Sequence, residues 1–425
     1  MKVLILGSGG REHALAWAVQ QSKRVTEVVC APGNGGIAQI ARCVPVDLKD
    51  LNSMVRVAAE EQPELTIVGP ELPLSLGIVD ALQKLGLRVF GPTRGAAMLE
   101  SSKSFAKRFL QRNNIPTANY AVCTTAAELE KAVDMFHPPI VVKADGLAAG
   151  KGVVICPSRQ TALEAAQSLF TGALLGEAEL QVVIEEFLEG EEISFLCLSD
   201  GKNVVPLVPA QDHKCIGEGD TGPNTGGMGV YSTDGMLDPG MTEWILHHIA
   251  EPTVRGMAEE ETPFVGVLYC GLMMTARGPL VLEFNARFGD PETQAILLRL
   301  ESDLVGALEA CVDGRLGEVS LRWASGASAC VVASSAGYPG NYETGFPISG
   351  LASAAQVPGV QIFHSGTARV GNQLVTGGGR VLGVTAAGET LEEALDRAYQ
   401  AMAEIHFEGI YYRCDIGHRA LRKTP

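Results

Sequence analysis

KVLILGSGGREHALAW, residues 2–17, decides how the chain begins. Residues 2–6 form a short run, apolar after Lys2, that leads into Gly7-Ser8-Gly9-Gly10. From residue 11 to 21 the residues Ala14, Leu15 and Ala18 then share one stripe at helical spacing. The segment reads as strand, glycine loop, helix. Further strands are expected at residues 25–30, 65–68 and 88–90, alternating with helices near 50–60 and 74–85. Strands that alternate with helices pair in parallel, with helices on both faces of the sheet. The alternation stops at the turn Gly91-Pro92-Thr93, so a first, parallel α/β domain is expected over residues 1–101.

Beyond that domain the pattern changes. A helix is expected from Lys103 to about Arg112, ended by Asn113-Asn114-Ile115-Pro116. Strand-like runs follow at 140–143, 152–156, 182–187, 193–198 and 204–208, with a helix near 161–170. A helix near 241–261 and strands near 266–275 and 279–285 complete an α+β core over residues 102–326. A small C-terminal α/β domain is expected at 327–425, with strands at 329–333, 361–364 and 381–385. Its helix at 391–405 places Leu391, Ala394, Leu395 and Ala398 on one face. The expected fold class is therefore α/β and α+β, in several domains.

The 425 residues include 33 Lys plus Arg against 49 Asp plus Glu, and 33 − 49 = −16 repels a polyanion over most of the surface. No nucleic-acid partner is expected; small anions remain possible where a few amides and lysines converge in a cleft. The ten cysteines form no C-x-x-C pair, which speaks against zinc ribbons and disulfide scaffolds and for a reducing cytoplasm. No apolar run reaches the roughly 18 residues of a spanning helix, so no membrane partner and no processed leader are expected.

Five segments carry candidate chemistry. In Gly7–Glu12, glycines let amides approach a phosphate at a helix N-terminus. However, Glu12 stands at the third glycine of G-x-G-x-x-G, and Val29-Cys30-Ala31 closes the second strand without an acid. A dinucleotide site, a phosphate-facing loop for another ligand, and a loop that only turns the chain all stay open. KADGLAAGKG, residues 143–152, has three residues between glycines where a Walker A loop has four, and Gly152 replaces its hydroxyl. It reads as a flexible hairpin over phosphates with Lys143 aimed from a strand, or as a surface hairpin with solvated lysines.

Residues 185–192, EEFLEGEE, carry five carboxylates in eight positions. Most such runs are solvated connections, but a strand end entering a linker also offers backbone groups to an adenine edge and a carboxylate to ribose. LEFNARFGDPE, residues 282–292, is the strongest signal. Period-two alternation puts Glu283, Asn285 and Arg287 on one side and Phe284, Ala286 and Phe288 on the other. Two oxygen donors suit Mg²⁺ shared with phosphates, and a guanidinium suits a phosphate or carboxylate. A half-exposed strand with a Glu283–Arg287 ion pair is the plain alternative, although Asn285 has no task in it. Finally, Asp212-His213-Lys214 precedes the glycine-rich stretch 217–229, a long loop of the kind that carries function. His213 is not assigned as a base.

Taken together these segments resemble the ATP-grasp enzymes and, within them, the phosphoribosylamine–glycine ligase family. The resemblance spans essentially the whole chain. It is carried by GSGGREHALAW at 7–17, APGNGG at 31–36, VKADGLAAGKGV at 142–153, GDTGPNTGGMG at 219–229 and RFGDPE at 287–292. It implies an N-terminal pre-ATP-grasp domain, a two-lobed ATP-grasp core whose mobile lobe covers about 121–190, and a small C-terminal domain. It further implies that ATP phosphorylates glycine and that 5-phosphoribosylamine displaces the phosphate, in de novo purine synthesis.

By that similarity Glu283 and Asn285 hold Mg²⁺ or Mn²⁺, and Arg287, Lys143 and Asp290 act at the reacting groups. Lys103, Lys143, Glu185, Glu186, Leu188 and Glu192 line the ATP cleft, with Glu186 and Leu188 near adenine and Glu192 near ribose. Gly9, Gly10, Asp212, His213 and Lys214 sit towards phosphoribosylamine, the first two through backbone amides, and glycine lies near Arg287 and Asp290. Cys215-Ile216 departs from the Arg-Val or Lys-Val pair expected there, so Cys215 is left outside the site. A monofunctional enzyme is expected, working as a monomer or a dimer.

Overall fold

The computed structural model describes residues 1–147, 152–173 and 181–422. The hairpin tip with Gly150 and Lys151 lies outside the described residues.

The first sheet is entirely parallel, in the order Arg42–Cys43, Glu27–Pro32, Lys2–Gly7, Leu65–Val68, Val89–Phe90. Val3, Leu4, Ile5 and Leu6 are fully buried because helices cover both faces of the sheet, which explains an apolar run without alternation. The helix Leu51–Glu61 begins where the Asp50 side chain accepts the Asn52 N–H. The single helix expected at 74–85 is instead two, Glu71–Leu76 and Ile78–Lys84, broken at Gly77, whose φ of 87° suits a residue without a side chain. Strand order reverses at Lys2–Gly7, so the carboxyl ends of that strand and of Leu65–Val68 flank a crevice.

The next sheet is antiparallel, in the order Tyr120–Cys123, Val182–Glu186, Ile140–Ala144, Val153–Cys156. Helices Ala126–Val133 and Arg159–Phe170 pack on it through Leu129, Ala162, Ala166 and Leu169. This is the smaller lobe. The strand at 120–123 and the helix at 126–133 were not expected from the sequence; their short, mixed runs lack a clear period. The larger lobe is a second antiparallel sheet, in the order Val204–Pro206, Glu191–Asp200, Val265–Thr275, Gly278–Asn285. Residues 187–190 join the lobes. Gly190, at φ 158°, leaves no room for a side chain, because a Cβ there would lie 2.2 Å from the Met274 carbonyl oxygen.

The last sheet, in the order Gln211–Asp212, Gly229–Thr233, Ala327–Ser334, Arg380–Gly388, Val360–His364, joins residues from both sides of the expected 326/327 boundary. Gly229–Thr233 pairs along Ala327–Ser334, so the core and the C-terminal segment share one sheet. Helix Leu391–Glu404 lays its expected apolar stripe on that sheet. The helix expected at 241–261 is interrupted by a π turn at Leu246–Ala250. The molecule is an α/β and α+β multidomain protein with its lobes stacked beside a parallel domain.

Candidate active site

Helix Lys103–Arg112 starts where the Ser102 side chain accepts the Phe105 N–H, and its first two turns carry Lys103 and Lys107 at a spacing that puts both on one face. Lys103 Nζ donates to the Gly146 carbonyl at 3.0 Å. Burial pushes the Lys103 ammonium below its usual range. Lys107 donates to Thr117 Oγ1 at 2.7 Å and pairs with Glu185 at 3.0 Å. Burial brings it down to about 8; Glu185 opposes that shift and Lys143 adds to it. Lys143, on strand Ile140–Ala144, pairs with the same Glu185 oxygen at 3.0 Å and donates to the Leu282 carbonyl of the larger lobe at 3.2 Å. Glu185 is buried between two ammonium groups, and its other oxygen has no partner among the described residues.

Glu186, next along, turns outward to accept from the Asn119 N–H at 2.8 Å and from Arg277 at 2.8 Å. Leu188 is buried with Ala118 and Leu280, and Met273 and Leu282 pack on them, which makes a small apolar slot beside the segment that joins the lobes. Glu192 forms a close ion pair with Lys214, which also lies 3.8 Å from Glu283. Burial disfavours the Lys214 charge, but Glu192, Glu283 and Asp212 outweigh it and raise the ammonium above its ordinary value. Glu283 is held ionised in the same way: burial would raise its carboxyl, and Lys214, Lys143, Lys103 and Arg287 bring it below the usual range.

Glu283 and Asn285 lie on strand Gly278–Asn285, whereas Arg287 lies just past its end. The alternation nevertheless persists, with Phe284, Ala286 and Phe288 all buried in core. Arg287 donates to Asn285 Oδ1 at 3.1 Å and reaches Glu100 at 3.1 Å and Glu71 at 3.6 Å. The plain alternative, a Glu283–Arg287 ion pair, does not form; each group has other partners. Burial raises the Glu100 carboxyl, and Arg287 works against that. Glu71 is lowered, since Arg287 and Arg11 outweigh its burial.

Asp290 pairs with Arg380 of the C-terminal segment at 3.2 Å and accepts from Gln294 at 2.8 Å. It also sits over the first glycine loop: a Cβ on Gly9 would lie 3.2 Å from its carboxylate, and one on Gly10 would lie 2.6 Å from Gln294 Nε2 and from Ser365 Oγ. The Gly9 N–H, expected to face substrate, donates instead to Glu12 Oε2 at 2.6 Å. Glu12 fills the crevice at the strand ends, for a Cβ on Gly69 would lie 2.0 Å from its carboxylate. The chain's own anion thus caps this helix where a dinucleotide would place pyrophosphate, and the dinucleotide reading ends there.

Burial and the nearby Glu292 push the Asp212 carboxyl well up. His213 sits beside Asp212 and Lys214 in the chain. It is fully buried, accepts the Gly417 N–H at 3.2 Å, and lies 5.4 Å from the His418 ring; burial drives its pKa down to about 3. Cys215 turns towards Asn224 at 3.5 Å. The sequence reading missed Lys107, Glu71, Glu100, Gln294 and Arg380. Only the four-residue spacings of Lys103 with Lys107 and of Asp290 with Gln294 offered a signal; Glu71, Glu100 and Arg380 meet the site through tertiary folding. A surface concavity lined by Thr233, Gly326, Gly359 and Thr390 involves none of these residues. Among the described residues no three His, Cys, Asp or Glu side chains are placed to hold a metal, and no helix is long and apolar enough to cross a membrane.

A parallel α/β domain followed by two antiparallel lobes that enclose lysines, an acid and an amide defines an ATP-grasp protein. Models of phosphoribosylglycinamide synthetase match the chain in three parts: N domain at residues 1–100, ATP-grasp (A) domain at 101–293 and C domain at 328–419. The chain belongs to that family. It is 49% identical to the phosphoribosylamine–glycine ligase of Vibrio cholerae, over all of this chain and 99% of that one. The crystal structure of phosphoribosylamine–glycine ligase from Thermotoga maritima superposes with a TM-score of 0.86 at 36% identity, covering 98% of this chain and all of that one. A biotin carboxylase domain from Hydrogenobacter thermophilus, at 16% identity and a TM-score of 0.73 over 97% of this chain and 91% of that one, shares the fold.

Proposed function

We propose that this chain couples ATP cleavage to joining glycine with 5-phospho-β-D-ribosylamine, giving N1-(5-phospho-β-D-ribosyl)glycinamide, ADP and phosphate. The observation that carries this reading is the convergence of Glu283, Asn285 and Arg287 with Lys103, Lys143 and Lys214 on one cleft between the lobes. The family and the full-length relatives support the substrates.

Adenine packs in the slot of Leu188 and Leu280, with the backbone after Glu186 at its edge and Glu192 near ribose. Lys103 and Lys143 meet the phosphates, and buried Glu185 holds Lys143 in register. Glu283 and Asn285 fit a hard cation: the carboxylate is kept ionised and the amide oxygen lies one strand period away; among the described residues no cluster of three His, Cys, Asp or Glu is placed to hold a metal, so phosphate oxygens would complete the coordination. Mg²⁺ or Mn²⁺, when bound there, offsets charge on the transferred phosphoryl group. A glycine carboxylate oxygen attacks the γ-phosphorus and ADP leaves. The amine then attacks the acyl carbon; the C–N bond forms, the C–O bond to phosphate breaks, and the nitrogen gives up one proton. Arg287 stabilises charge on the phosphoryl oxygens. Closing the smaller lobe over residues 187–190 keeps water from the acyl phosphate. The residues named above all come from one chain, in keeping with a monomer, and the ten unpaired cysteines are in keeping with the cytoplasm.

Glycine-dependent ADP release with phosphoribosylamine generated in situ tests the proposal. Silence with that pair, and turnover with another carboxylate and amine, would overturn the substrates while leaving the family intact.

A further inference from the structure

Arg380 opens strand Arg380–Gly388 of the C-terminal segment, yet its guanidinium lies against the core. It donates to the Gly226 carbonyl at 2.5 Å, to the Asp290 carbonyl at 2.7 Å and to the Gly227 carbonyl at 3.4 Å, and it pairs with the Asp290 carboxylate at 3.2 Å. One cation therefore holds both the backbone and the side chain of Asp290. Gln294, one helical turn on, holds the other carboxylate oxygen at 2.8 Å. Burial would raise the Asp290 carboxyl, but Arg380, Arg11, Gln294 and Arg287 keep it below its usual range.

The Asp290 carboxylate lies over Gly9 and Gly10, at the point where the parallel domain, the ATP-grasp core and the C-terminal segment meet. A side chain at Gly10 would displace Gln294 or Ser365, and one at Gly9 would crowd Glu12 and Asp290. Asp290 retains partial exposure, at 14% of its side chain, so it can still touch a ligand. An ionised carboxylate fixed at two oxygens is a directional acceptor for N–H groups.

We propose that Arg380 is a positioning residue: it fixes the place and turn of Asp290, so that the carboxylate orients the amine of the sugar-phosphate substrate towards the acyl phosphate. This rests on the ligase reading above. Asp290 acts here as a hydrogen-bond acceptor; the proton lost on C–N bond formation goes to the departing phosphate, a better base than a carboxylate held low. The C-terminal segment thereby completes the amine end of the cleft, while the nucleotide end is built without it.

The test is a double-mutant cycle on the full chain with Arg380→Met, Arg380→Lys, Asp290→Asn and the pair Arg380→Met with Asp290→Asn. Wild-type ADP release with glycine and phosphoribosylamine is measured first. If the wild type does not turn over that pair, the ligase reading falls and this proposal with it. With turnover established, Arg380→Met should lower kcat/KM for phosphoribosylamine about 100-fold, the scale of a misplaced reacting group. The KM for ATP should stay within about twofold, since no nucleotide contact is removed. Arg380→Lys, which keeps the charge and loses the fork, should recover part of the loss. Adding Arg380→Met to Asp290→Asn should cost little more, because residues acting as a unit are not additive. Additive losses, or equal effects on all three substrates accompanied by a lowered Tm, would overturn the positioning role.

Discussion

The two ends of the cleft are built differently. At the nucleotide end, Lys143, Glu185 and the apolar slot around Leu188 come from neighbouring strands and one joining segment. At the acyl end, Arg287 is held by Glu71 and Glu100, and Asp290 by Arg380, so groups from opposite ends of the chain converge. Lys143 and Glu185 belong to a lobe with its own small core, whereas the slot around Leu188 is shared with Leu280 and Met273 of the larger lobe. The acyl end is locked by charge pairs across domains. On the proposed function, ATP binding is expected to close the smaller lobe onto an end already held by these pairs.

The largest expected effect lies where both ends meet. Glu283→Gln should lower kcat about 1000-fold with a Tm close to wild type, since a half-exposed ligand is lost from the charged cluster and no packing changes. Wild-type rates in steady-state assays would place the metal elsewhere. Lys143→Ala should act on the nucleotide end alone, raising KM for ATP and lowering kcat, each about tenfold or more. A Lys143→Ala enzyme with altered KM for the amine and unchanged KM for ATP would break the division.

Acid should loosen the domain junctions. His13, His213 and His364 are buried and held neutral by burial, with pKa values down to about 3, 3 and 4. Unfolded, each takes up a proton near pH 6.5, so the unfolded chain binds more protons and stability is lost as pH falls from 6.5 towards 4. The slope should reach up to roughly 4 kcal/mol per pH unit from the three together. His213→Asn should flatten a plot of urea midpoint against pH by about a third; an unchanged slope would show that His213 protonates without cost. The smallest effect is expected at Cys215. Because it faces Asn224 and the exposed hairpin, Cys215→Arg should change kcat/KM less than about twofold. A large gain would mean that the missing cation does reach substrate.

Much of this was legible where period and punctuation were strong. Residues 2–17 declared a strand, a glycine loop and a helix, and 282–288 declared a two-faced strand, because each is long enough for burial to leave its mark on residue order. Two-residue strands such as Arg42–Cys43 leave none. Within the candidate site, Lys143, Glu283 and Arg287 stood beside recognisable neighbours, whereas Lys107 and Arg380 look like ordinary surface cations until helix packing and sheet pairing turn them inward. The partner of the Gly9 amide was hidden for a related reason: Glu12, three residues on, reaches back to it, and only the folded helix start reveals that contact.

The sheet that joins Gly229–Thr233 to Ala327–Ser334 has a consequence during synthesis. As the ribosome works, the earlier strand emerges with one hydrogen-bonding edge bare and waits for its partner roughly 5–20 s at ordinary elongation speeds. Through that interval the nascent chain carries an open seam. A chain terminated at residue 326 would carry it permanently, so the last hundred residues act as the stitch that finishes the cloth and cannot be treated as a detachable tag.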